Sequence, residues 1–489
     1  VIVDLSLNEL TSKKDAIVFE NIYHIKTLTI ISHTEARTEV KHNPNKMSTA
    51  TANKAQDDRK VLVHNFDNEK KRPGQTMKAL VWHHKKDVRV DEVPVPAITD
   101  PGDVICKVTA TTVCGSDLHL YHQEIFQLQE GDILGHEWLG VVDEVGPEVK
   151  KLKKGDRVVA SFQIACGQCP FCREGLSSMC DTTNNTSIQG DLYGKGFGGL
   201  FGYTRFSGGY AGGQAEYVRC PFGDVNLLKL PDSVPDEKAL YLSDIVPTSY
   251  HATVCAEVKE GKSVAIWGMG PVGLFAAKWS KLAGAKRVIA IDNVPERLKM
   301  ARDNIGCEII NFDQTKDVVK ALYEKEPEGV NCCIDAAAFR YTKGALDTFE
   351  RAVGLETDSS EISNEMLRAV RKFGNIALVA DYAGTTNNFL IGALMEKGIT
   401  LRGTGQAPVQ KYWHELLKKI EDGLFDPTII LSHRFALEEF AELYAAFDRK
   451  EKGIMKTFVQ TKFSGKPTPG TPPLSSFKKK DIKPSMVHA

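Results

Sequence analysis

Four closely spaced cysteines are the residues of this sequence whose pattern points most directly to metal chemistry. They follow a C-x2-C-x2-C-x7-C pattern and are Cys166, Cys169, Cys172 and Cys180. Short spacers let the backbone fold around one ion, so four thiolates at this spacing are typical of a closed, tetrahedral zinc site. A redox dithiol needs only two cysteines, and a bacterial iron–sulfur run ends in Cys-Pro, which this run does not. A nucleic-acid-binding zinc ribbon usually has a second CxxC pair in basic surroundings, so the pattern favours structural zinc.

A second, incomplete set of metal-ligand types lies just upstream. Cys114 offers a thiolate and His136 an imidazole, but neither has an obvious partner ligand nearby in the sequence. Taken alone, the cysteine fits a small buried apolar residue and the histidine a hydrogen-bonded polar one. An incomplete set also leaves a coordination position open, as catalytic zinc requires. Ser116 and His119 follow Cys114 closely and predict a hydroxyl next to the metal and a base that leads outward.

A glycine-rich turn predicts a dinucleotide site. The pattern G-x-G-x-x-G is formed by Gly268, Gly270 and Gly273, with Val272 inside it. It follows a predicted strand and opens a predicted helix, where the backbone can approach a pyrophosphate and the helix N-terminus attracts it. Asp292 closes the next strand and is placed to accept hydrogen bonds from the adenosine ribose hydroxyls. A carboxylate there repels a 2′-phosphate, which favours NAD over NADP; a merely structural turn is the alternative.

The length and composition of the chain limit the kind of protein that positions these groups. At 489 residues the chain is too long for one hydrophobic core, so two domains with extensions are expected. The formal net charge of −1 gives no reason to expect binding to nucleic acid or to an anionic membrane. No apolar run approaches the length of a membrane helix. Eleven cysteines without a recognisable secretory signal lead us to expect a reducing, cytoplasmic location.

Two patterns of predicted secondary structure divide the middle of the chain. Residues 76–246 contain short β-rich runs separated by Gly and Pro, as in a barrel-like or Greek-key domain. From about residue 263 strands and helices alternate, which predicts an α/β domain with a doubly wound parallel sheet. The first elements predicted there are Val264–Trp267, Pro271–Leu282, Val288–Ile291 and Pro295–Ile305. Near the end of the pattern, Met455–Thr461 is predicted to return as a strand to the first domain.

The two ends of the chain differ from the middle. Residues 1–75 lack a sustained pattern, and we interpret them as a disordered arm or as an artefact of translation upstream of Met47. A transit peptide is disfavoured because the segment contains several acidic residues. Residues 463–489 contain several prolines and a Lys triplet, which predicts a disordered, solvated tail.

In this order, the motifs resemble those of the zinc-dependent medium-chain alcohol dehydrogenases. The sequence Cys114-Gly-Ser-Asp-x-His is followed by Gly-His-Glu, the four cysteines and the Gly268 fingerprint, and the resemblance extends over roughly residues 76–461. It implies a GroES-like, β-rich catalytic domain interrupted by a Rossmann domain. The implied boundaries are 76–246 for the zinc-binding catalytic domain, 247–398 for the Rossmann domain and 399–462 for the return to the catalytic domain.

One stretch, residues 242–248, resembles the branch of the family that contains formaldehyde dehydrogenases and dismutases. In that branch an aspartate replaces the usual third cysteine ligand of the catalytic zinc. The resemblance therefore implies a zinc ion held by Cys114, His136 and Asp244, with Glu137 beside the metal as an occasional ligand.

The resemblance also implies roles for other residues at matching positions. Asp117 resembles the carboxylate that orients the imidazole of His136. Thr248 resembles the residue that packs on the nicotinamide, and Lys456 falls where a basic residue meets the pyrophosphate. Arg297 resembles the cation near the adenosine ribose.

The implied activity is reversible hydride transfer between an alcohol, possibly hydrated formaldehyde or another small alcohol or aldehyde, and NAD. Two zinc ions per chain and NAD are the implied cofactors, and Ser116 and His119 form the proton relay. The alternatives are a polyol dehydrogenase of the sorbitol type and an S-hydroxymethylglutathione dehydrogenase. The second is disfavoured because the segment between His119 and Gly135 lacks the acidic pattern that resembles glutathione recognition. Insertions at residues 184–213 and 340–365 are expected to shape the substrate mouth or to cover the cofactor.

Two further classes of protein remain as alternatives. One is a catalytically silent NAD-sensing protein, against which the intact catalytic motifs argue. The other is a zinc-stabilised interaction module whose terminal tails bind partners. The expected partners are a small-molecule alcohol or aldehyde and further copies of the chain, in a dimer or tetramer, with no nucleic acid and no membrane.

Overall fold

The computed structural model describes residues 63–478 apart from residues 126, 185, 338–357 and 383. This part of the chain forms a β-rich domain and a parallel-sheet domain. No helix in it is both long and apolar enough to cross a membrane.

The β-rich domain contains nine strands before the chain leaves it. They are β1 Lys71–His84, β2 Asp87–Pro96, β3 Val104–Thr111, β4 Trp138–Val145, β5 Arg157–Ala160, β6 Gln163–Ile164, β7 Gly199–Leu200, β8 Tyr217–Cys220 and β9 Leu227–Lys229. β1 and β2 form an antiparallel pair, and β3, β4, β5 and β9 are neighbours in the main sheet, where β8 also pairs with β3. Apart from the longer β1 and β2, of 14 and 10 residues, the strands are short, as the sequence predicted, and they pair mostly antiparallel.

The parallel-sheet domain contains six strands. They are β10 Ser263–Trp267, β11 Arg287–Asp292, β12 Glu308–Asn311, β13 Val330–Asp335, β14 Val370–Leu378 and β15 Thr400–Gly403. All pairs are parallel, and the strand order is β12-β11-β10-β13-β14-β15. This is the doubly wound order of a dinucleotide-binding sheet, in which ligands bind at the carboxyl ends of the strands near β10 and β13. The predicted fold class is therefore confirmed.

The chain then returns to the first domain in two strands, β16 Leu431–Ala436 and β17 Lys456–Gln460. β17 lies between β16 and β3, so the last part of the chain completes the seven-stranded sheet. The predicted return of residues 455–461 is confirmed. The Rossmann domain extends beyond the predicted boundary at residue 398, because β15 pairs with β14.

Thirteen α-helices occur in the described part of the chain. They are α1 Asp117–Tyr121, α2 Pro170–Arg173, α3 Ser187–Tyr193, α4 Gly223–Asn226, α5 Asp236–Ala239, α6 Ile245–Cys255, α7 Pro271–Leu282, α8 Pro295–Ile305, α9 Val318–Lys325, α10 Glu361–Ala369, α11 Ile391–Glu396, α12 Val409–Glu421 and α13 Phe440–Asp448. Helices α7 and α8 begin and end where the sequence predicted, and each begins with a proline at its first position, where no N–H is needed.

The predicted disordered extension up to residue 75 is wrong for residues 63–75. This segment forms the start of β1 and packs on the β-rich domain through charge pairs. The buried Arg219 guanidinium lies 3.0 Å from both Glu69 Oε2 and Asp103 Oδ2, and Arg205 pairs with Asp67 at 2.5 Å. A buried guanidinium is costly without such partners, so Glu69 is part of the folded domain. Residues 1–62 lie outside the described part.

The predicted disordered tail is likewise wrong for residues 463–478. Thr468 donates hydrogen bonds to the Glu237 carboxylate from its backbone N–H, at 2.9 Å, and from its hydroxyl, at 2.6 Å. Glu237 also pairs with the buried Arg434, whose Nε donates to the Pro472 carbonyl at 3.1 Å. Phe477 stacks on Phe435 with ring centroids 4.8 Å apart. The tail is thus attached to β16 up to residue 478, and residues 479–489 lie outside the described part.

We expect deletion of residues 463–489 to lower the melting temperature by several degrees. The deletion removes the hydrogen bonds of Thr468 and the Pro472 carbonyl from a buried ion pair, and hydrogen bonds to charged groups contribute about 1.5–3 kcal/mol each. Deletion of residues 479–489 alone keeps every one of these contacts and is the matched control. Differential scanning calorimetry measures the melting temperatures of the two truncated proteins. Equal melting temperatures would show that the tail contributes nothing to stability.

Candidate active site and metal sites

The four predicted cysteine ligands converge in one lobe. Their sulfur atoms all lie within 4.8 Å of one another, with Cys166 and Cys172 Sγ 3.9 Å apart and Cys169 and Cys180 Sγ 4.0 Å apart. Four sulfurs bound tetrahedrally at about 2.3 Å from one zinc ion are about 3.8 Å apart, so the spacing fits the ion. The backbone N–H groups of Gln168 and Cys169 point at Cys166 Sγ, at 3.4 and 3.3 Å, and such donors stabilise thiolates.

The open set of ligands also converges, although its members lie far apart in the sequence. One donor atom each from Cys114, His136, Glu137 and Asp244 lies within 4.8 Å of the other three. His136 Nε2 is 3.4 Å from Asp244 Oδ2 and 3.7 Å from Glu137 Oε1. A thiolate, an imidazole and carboxylate oxygens are the ligand types of zinc. The structure therefore brings together the predicted ligands of the second metal site.

A buried oxygen in this cluster supports the fit to a cation. Glu137 Oε2 is buried and has no hydrogen-bond partner among the described residues. An unpartnered buried carboxylate oxygen costs free energy, and a bound cation would remove that cost.

The turn before α1 positions Cys114. Asp117 Oδ2 accepts a hydrogen bond from the Cys114 backbone N–H at 2.9 Å, and Asp117 Oδ1 lies 3.0 Å from His136 Nδ1. One carboxylate thus holds the backbone of one ligand and the ring of another, as the resemblance implied. Ser116 stands at the N-cap of α1, but its side chain makes no capping hydrogen bond.

Gly135 sets the position of His136. Its φ is +101°, a conformation that favours glycine, and an added Cβ would lie 2.7 Å from the backbone nitrogen of Gln214 and 2.3 Å from its side chain. The Gly135 carbonyl also accepts a hydrogen bond from Gly213 at 2.7 Å. The segment that ends the glycine-rich insertion therefore packs directly against the residue before His136.

Lys456 lies on β17 beside the open ligand set. Its ammonium group pairs with Glu137 Oε1, and both side chains are almost fully buried. Thr248 on α6 donates a hydrogen bond to Asp244 Oδ1 at 2.5 Å. The structure thus places Lys456 and Thr248, which resemblance assigned to the cofactor, in contact with the metal-ligand side chains.

The pKa shifts in this cluster follow from burial and mutual charge. Burial alone lowers the pKa of His136, but the charge of Asp117 and hydrogen bonds to Asp117, Asp244 and Cys114 hold it well above its ordinary value. Burial raises the pKa of Glu137 in spite of Lys456. Asp244 is also buried, yet its hydrogen bonds and the charge of His136 lower its pKa. The site thus concentrates negative charge around the imidazole, as expected for a cation site.

The predicted relay residues lie at the start of α1, Ser116 at its N-cap and His119 within it. His119 Nδ1 is 2.7 Å from Glu124 Oε2, and His119 Nε2 is 3.6 Å from Asp381 Oδ2. Asp381 follows β14, so this contact joins the parallel-sheet domain to α1. Two flanking carboxylates favour the charged form of an imidazole, which suits a group that accepts a proton and passes it outward.

Sequence reasoning missed Tyr203, which the glycine-rich insertion brings to the site. Its ring meets the His136 ring edge-on, with centroids 5.4 Å apart, and burial raises its pKa well above the ordinary value. Gly202, with a φ of +59°, packs on the backbone of Gly135 and so places Tyr203. The sequence marked the insertion as unusual, but no spacing pattern singles out one tyrosine within it.

The fingerprint forms the predicted turn between β10 and α7. A Cβ on Gly273 would lie 1.8 Å from the Gly268 carbonyl oxygen, so helix and turn pack too closely for any side chain there. The Gly270 backbone is the N-cap of α7, and Val272 lies in its first turn. This geometry presents backbone N–H groups at a helix N-terminus, where a pyrophosphate binds.

A crevice of about 350 Å³ runs along this turn. Gly268, Gly270, Asp292 and Arg297 line it together with residues of α10, so the predicted adenosine-side residues do come together. Asp292 accepts backbone hydrogen bonds from Met269, at 2.6 Å, and from the two residues that follow it, at 2.7 and 2.8 Å. Lys456 is not among the residues that line this crevice. Most of the predicted 340–365 insertion lies outside the described residues.

The comparisons with known protein families, sequences and structures agree with one another. A model of the alcohol dehydrogenase GroES-like domain matches residues 100–232, and a model of zinc-binding dehydrogenases matches residues 271–353. A zinc-type alcohol dehydrogenase-like protein of Schizosaccharomyces pombe is 45% identical over 386 residues, which cover 79% of this chain and 91% of that protein. A glutathione-independent formaldehyde dehydrogenase of Pseudomonas aeruginosa is 34% identical, covering 78% of this chain and 96% of that protein. The structure of an alcohol dehydrogenase from Thermus sp. ATN1 matches with a TM-score of 0.67 and 34% identity, covering 79% of this chain and 100% of that one.

We expect Gly135→Ala to destabilise the protein more than Gly131→Ala does. Both glycines have positive φ, +101° and +97°, but an added Cβ meets nothing within 4 Å at Gly131 and meets Gln214 at Gly135. Overpacking costs about 1–3 kcal/mol beyond the shared backbone strain. Urea unfolding of the two variants measures the difference. If the two losses are equal, the contact between Gly135 and Gln214 does not constrain the site.

Proposed function

The chain belongs to the zinc-dependent medium-chain alcohol dehydrogenase family, and from this premise we propose that it is an NAD-dependent alcohol dehydrogenase acting on small alcohols and hydrated aldehydes such as hydrated formaldehyde. The observation that carries the proposal is the set of Cys114, His136, Glu137 and Asp244, whose donor atoms lie within 4.8 Å of one another; His136 and Glu137 are buried and Cys114 is partly exposed. Ser116 and His119 follow Cys114 at the start of α1, and the fingerprint turn lies in the second domain.

Three ligands from the protein leave one coordination position for a substrate oxygen. Cys114, His136 and Asp244 would hold the catalytic zinc, and the four-cysteine lobe would hold a second, structural zinc. When bound, zinc supplies a Lewis acid that lowers the pKa of an alcohol, and NAD supplies the hydride acceptor. Asp117 orients His136 so that Nε2 faces the other ligands.

The protein's own part in the reaction is to remove the alcohol proton. Ser116 Oγ takes that proton and gives up its own toward His119. Glu124 lies 2.7 Å from His119 Nδ1 and favours the tautomer with a proton on that nitrogen, which leaves Nε2 to accept. Asp381, 3.6 Å from Nε2, stabilises the charged ring that results.

The choice of NAD rests on Asp292. Its carboxylate lines the crevice at the end of β11, where it repels the 2′-phosphate of NADP. Arg297 lines the same crevice and is a candidate cation for the ribose.

The choice of a small substrate rests on three observations. The Pseudomonas aeruginosa relative is a glutathione-independent formaldehyde dehydrogenase, and its match extends over 96% of that protein. Asp244 stands at the third ligand position, as in the branch that the sequence resembles. In addition, the Tyr203 ring occupies space directly beside His136, which limits the room for a bulky substrate.

A substrate panel tests the proposal. The purified protein is assayed at about 340 nm, the nicotinamide band, with NAD or NADP and with formaldehyde, ethanol or sorbitol. We expect NAD-dependent oxidation of formaldehyde that does not need glutathione, in protein that contains two zinc ions per chain. An absolute requirement for glutathione would identify an S-hydroxymethylglutathione dehydrogenase, and preference for sorbitol a polyol dehydrogenase. If the protein oxidises none of these substrates, the proposal is rejected.

We expect Ser116→Ala to lower kcat by about 100-fold or more, because general acid–base steps contribute about 10²–10⁴-fold. Zinc content and NAD binding should stay unchanged, since Ser116 is neither a ligand nor a crevice residue. Ser249→Ala is the matched control, because that buried hydroxyl donates only to helix carbonyls, at 2.6 and 3.1 Å. Steady-state kinetics and metal analysis measure both variants. A Ser116→Ala enzyme with wild-type kcat would exclude the relay.

A further inference from the structure

We propose that Gln214 is a positioning residue for the catalytic metal site, acting on His136 through Asp117 and itself held by Tyr444. This inference rests on the proposed function, because it requires a zinc ion at Cys114, His136 and Asp244. It assigns a role to the residue that directly follows the glycine-rich insertion at 184–213 and belongs to none of the sequence motifs.

The side chain of Gln214 is hydrogen-bonded at both ends. Its Nε2 donates to Asp117 Oδ2 at 3.3 Å and to the Thr112 carbonyl at 2.9 Å, and its Oε1 accepts from the Tyr444 hydroxyl at 2.8 Å. Gln214 and Tyr444 have no exposed surface, and Asp117 and His136 are only 1% and 2% exposed. In such surroundings water does not compete for these polar groups, so their mutual orientation is fixed by the contacts alone.

The chemistry of the contacts determines which way the amide faces. If the amide were flipped, its oxygen would face a carboxylate and a carbonyl, which are both acceptors, and its nitrogen would face the Tyr444 hydroxyl. The amide oxygen would then face two buried acceptor oxygens with no hydrogen between them, which is unfavourable. Only the observed orientation gives the two amide protons acceptors, so Tyr444 and Thr112 together aim an N–H at Asp117.

Asp117 passes this constraint to two metal ligands. Its Oδ2 also accepts from the Cys114 backbone N–H at 2.9 Å, and its Oδ1 lies 3.0 Å from His136 Nδ1. With Oδ2 held by two donors, the carboxylate plane is set and Oδ1 faces the imidazole. The ring of His136 then presents Nε2 to Asp244 and Glu137. Groups that hold a metal-bound imidazole in this way affect metal affinity.

The backbone of Gln214 is hydrogen-bonded to the segment that precedes His136. Its N–H donates to the Leu134 carbonyl at 3.0 Å, one residue before Gly135. Tyr444 lies on α13, near the end of the chain, and packs against Tyr121 of α1 with ring centroids 5.7 Å apart. Hydrogen bonds from Tyr444 through Gln214 to Asp117, extended by the 3.0 Å contact of Asp117 Oδ1 with His136 Nδ1, therefore join α13 to the metal site.

The test uses the zinc-loaded full-length protein and follows zinc release to a chelator. Gln214→Leu keeps the volume but removes all three side-chain hydrogen bonds, and we expect the zinc of the open site to leave about tenfold faster than in wild type. The zinc of the four-cysteine lobe is the internal reference and should leave at its wild-type rate. The matched control is Gln189→Leu, because Gln189 is equally buried and bonds the Phe206 carbonyl at 2.7 Å and the Phe197 N–H at 2.8 Å, away from the ligands.

A milder pair of variants keeps the test decisive if Gln214→Leu folds poorly. Tyr444→Phe removes only the hydroxyl that fixes the amide, and Tyr210→Phe removes a buried hydroxyl that donates to the Thr183 carbonyl at 2.9 Å. We expect faster release from the open site, by about threefold, and a lower kcat with little change in KM for Tyr444→Phe only.

Three outcomes separate the possibilities. Selective loss of the open-site zinc in Gln214→Leu and Tyr444→Phe, but not in the two controls, supports the inference. Release rates equal to wild type, or equal acceleration in all four variants, would overturn it and leave the proposed function intact. A wild-type protein that holds only one zinc ion, in the four-cysteine lobe, would overturn the inference together with the catalytic zinc site.

Discussion

Concentrated negative charge in a buried space is the constraint on which the rest of the site depends. Cys114, Glu137 and Asp244 are all anionic when they bind a metal, and burial makes uncompensated charge costly. The protein supplies one positive charge itself, Lys456, which is buried against Glu137. A bound zinc ion would supply the remainder, and because its ligands must lose their protons, metal affinity and local pKa values are linked. His136 shows this link, since in the absence of the ion the carboxylates around it raise its pKa.

The two metal sites differ in how much of the fold each one needs. The four-cysteine lobe closes within residues 166–180, so its loop costs little entropy and its ligands come from one segment. The open site takes ligands from the turn before α1, from the start of β4 and from the start of α6, while β17 brings its lysine from beyond the parallel-sheet domain. Its ligands all precede the second domain, and only its lysine joins after the chain has passed through that domain and returned.

The sequence predicted elements and motifs whose signals are local. Pro at the first position fixed the start of α7 and α8, and the glycine fingerprint matched the observed turn. Asp244 came only from family resemblance, because more than a hundred residues separate it from His136 and no periodicity extends so far. Tyr203 and Gln214 were missed for the same reason: their roles come from tertiary contacts with Gly135 and Asp117. The prediction for the C-terminal tail was wrong for a different reason. Its prolines predicted disorder, but Glu237 and Arg434 bind it to the folded domain.

Lys456 illustrates why a role carried over by resemblance needs the contacts of the chain itself. Its position in the sequence suggests a partner for the cofactor pyrophosphate, but its ammonium group is buried and pairs with Glu137 Oε1. Breaking a buried pair leaves an uncompensated charge and costs several kcal/mol, so the lysine does not leave this partner without a replacement. The pairing also leaves Glu137 Oε2 as an oxygen with no hydrogen-bond partner among the described residues. The Glu137 carboxylate thus pairs with Lys456 through one oxygen, and its other oxygen is available to a bound cation. The strength of the pair with Lys456 therefore influences whether Glu137 can act as a metal ligand.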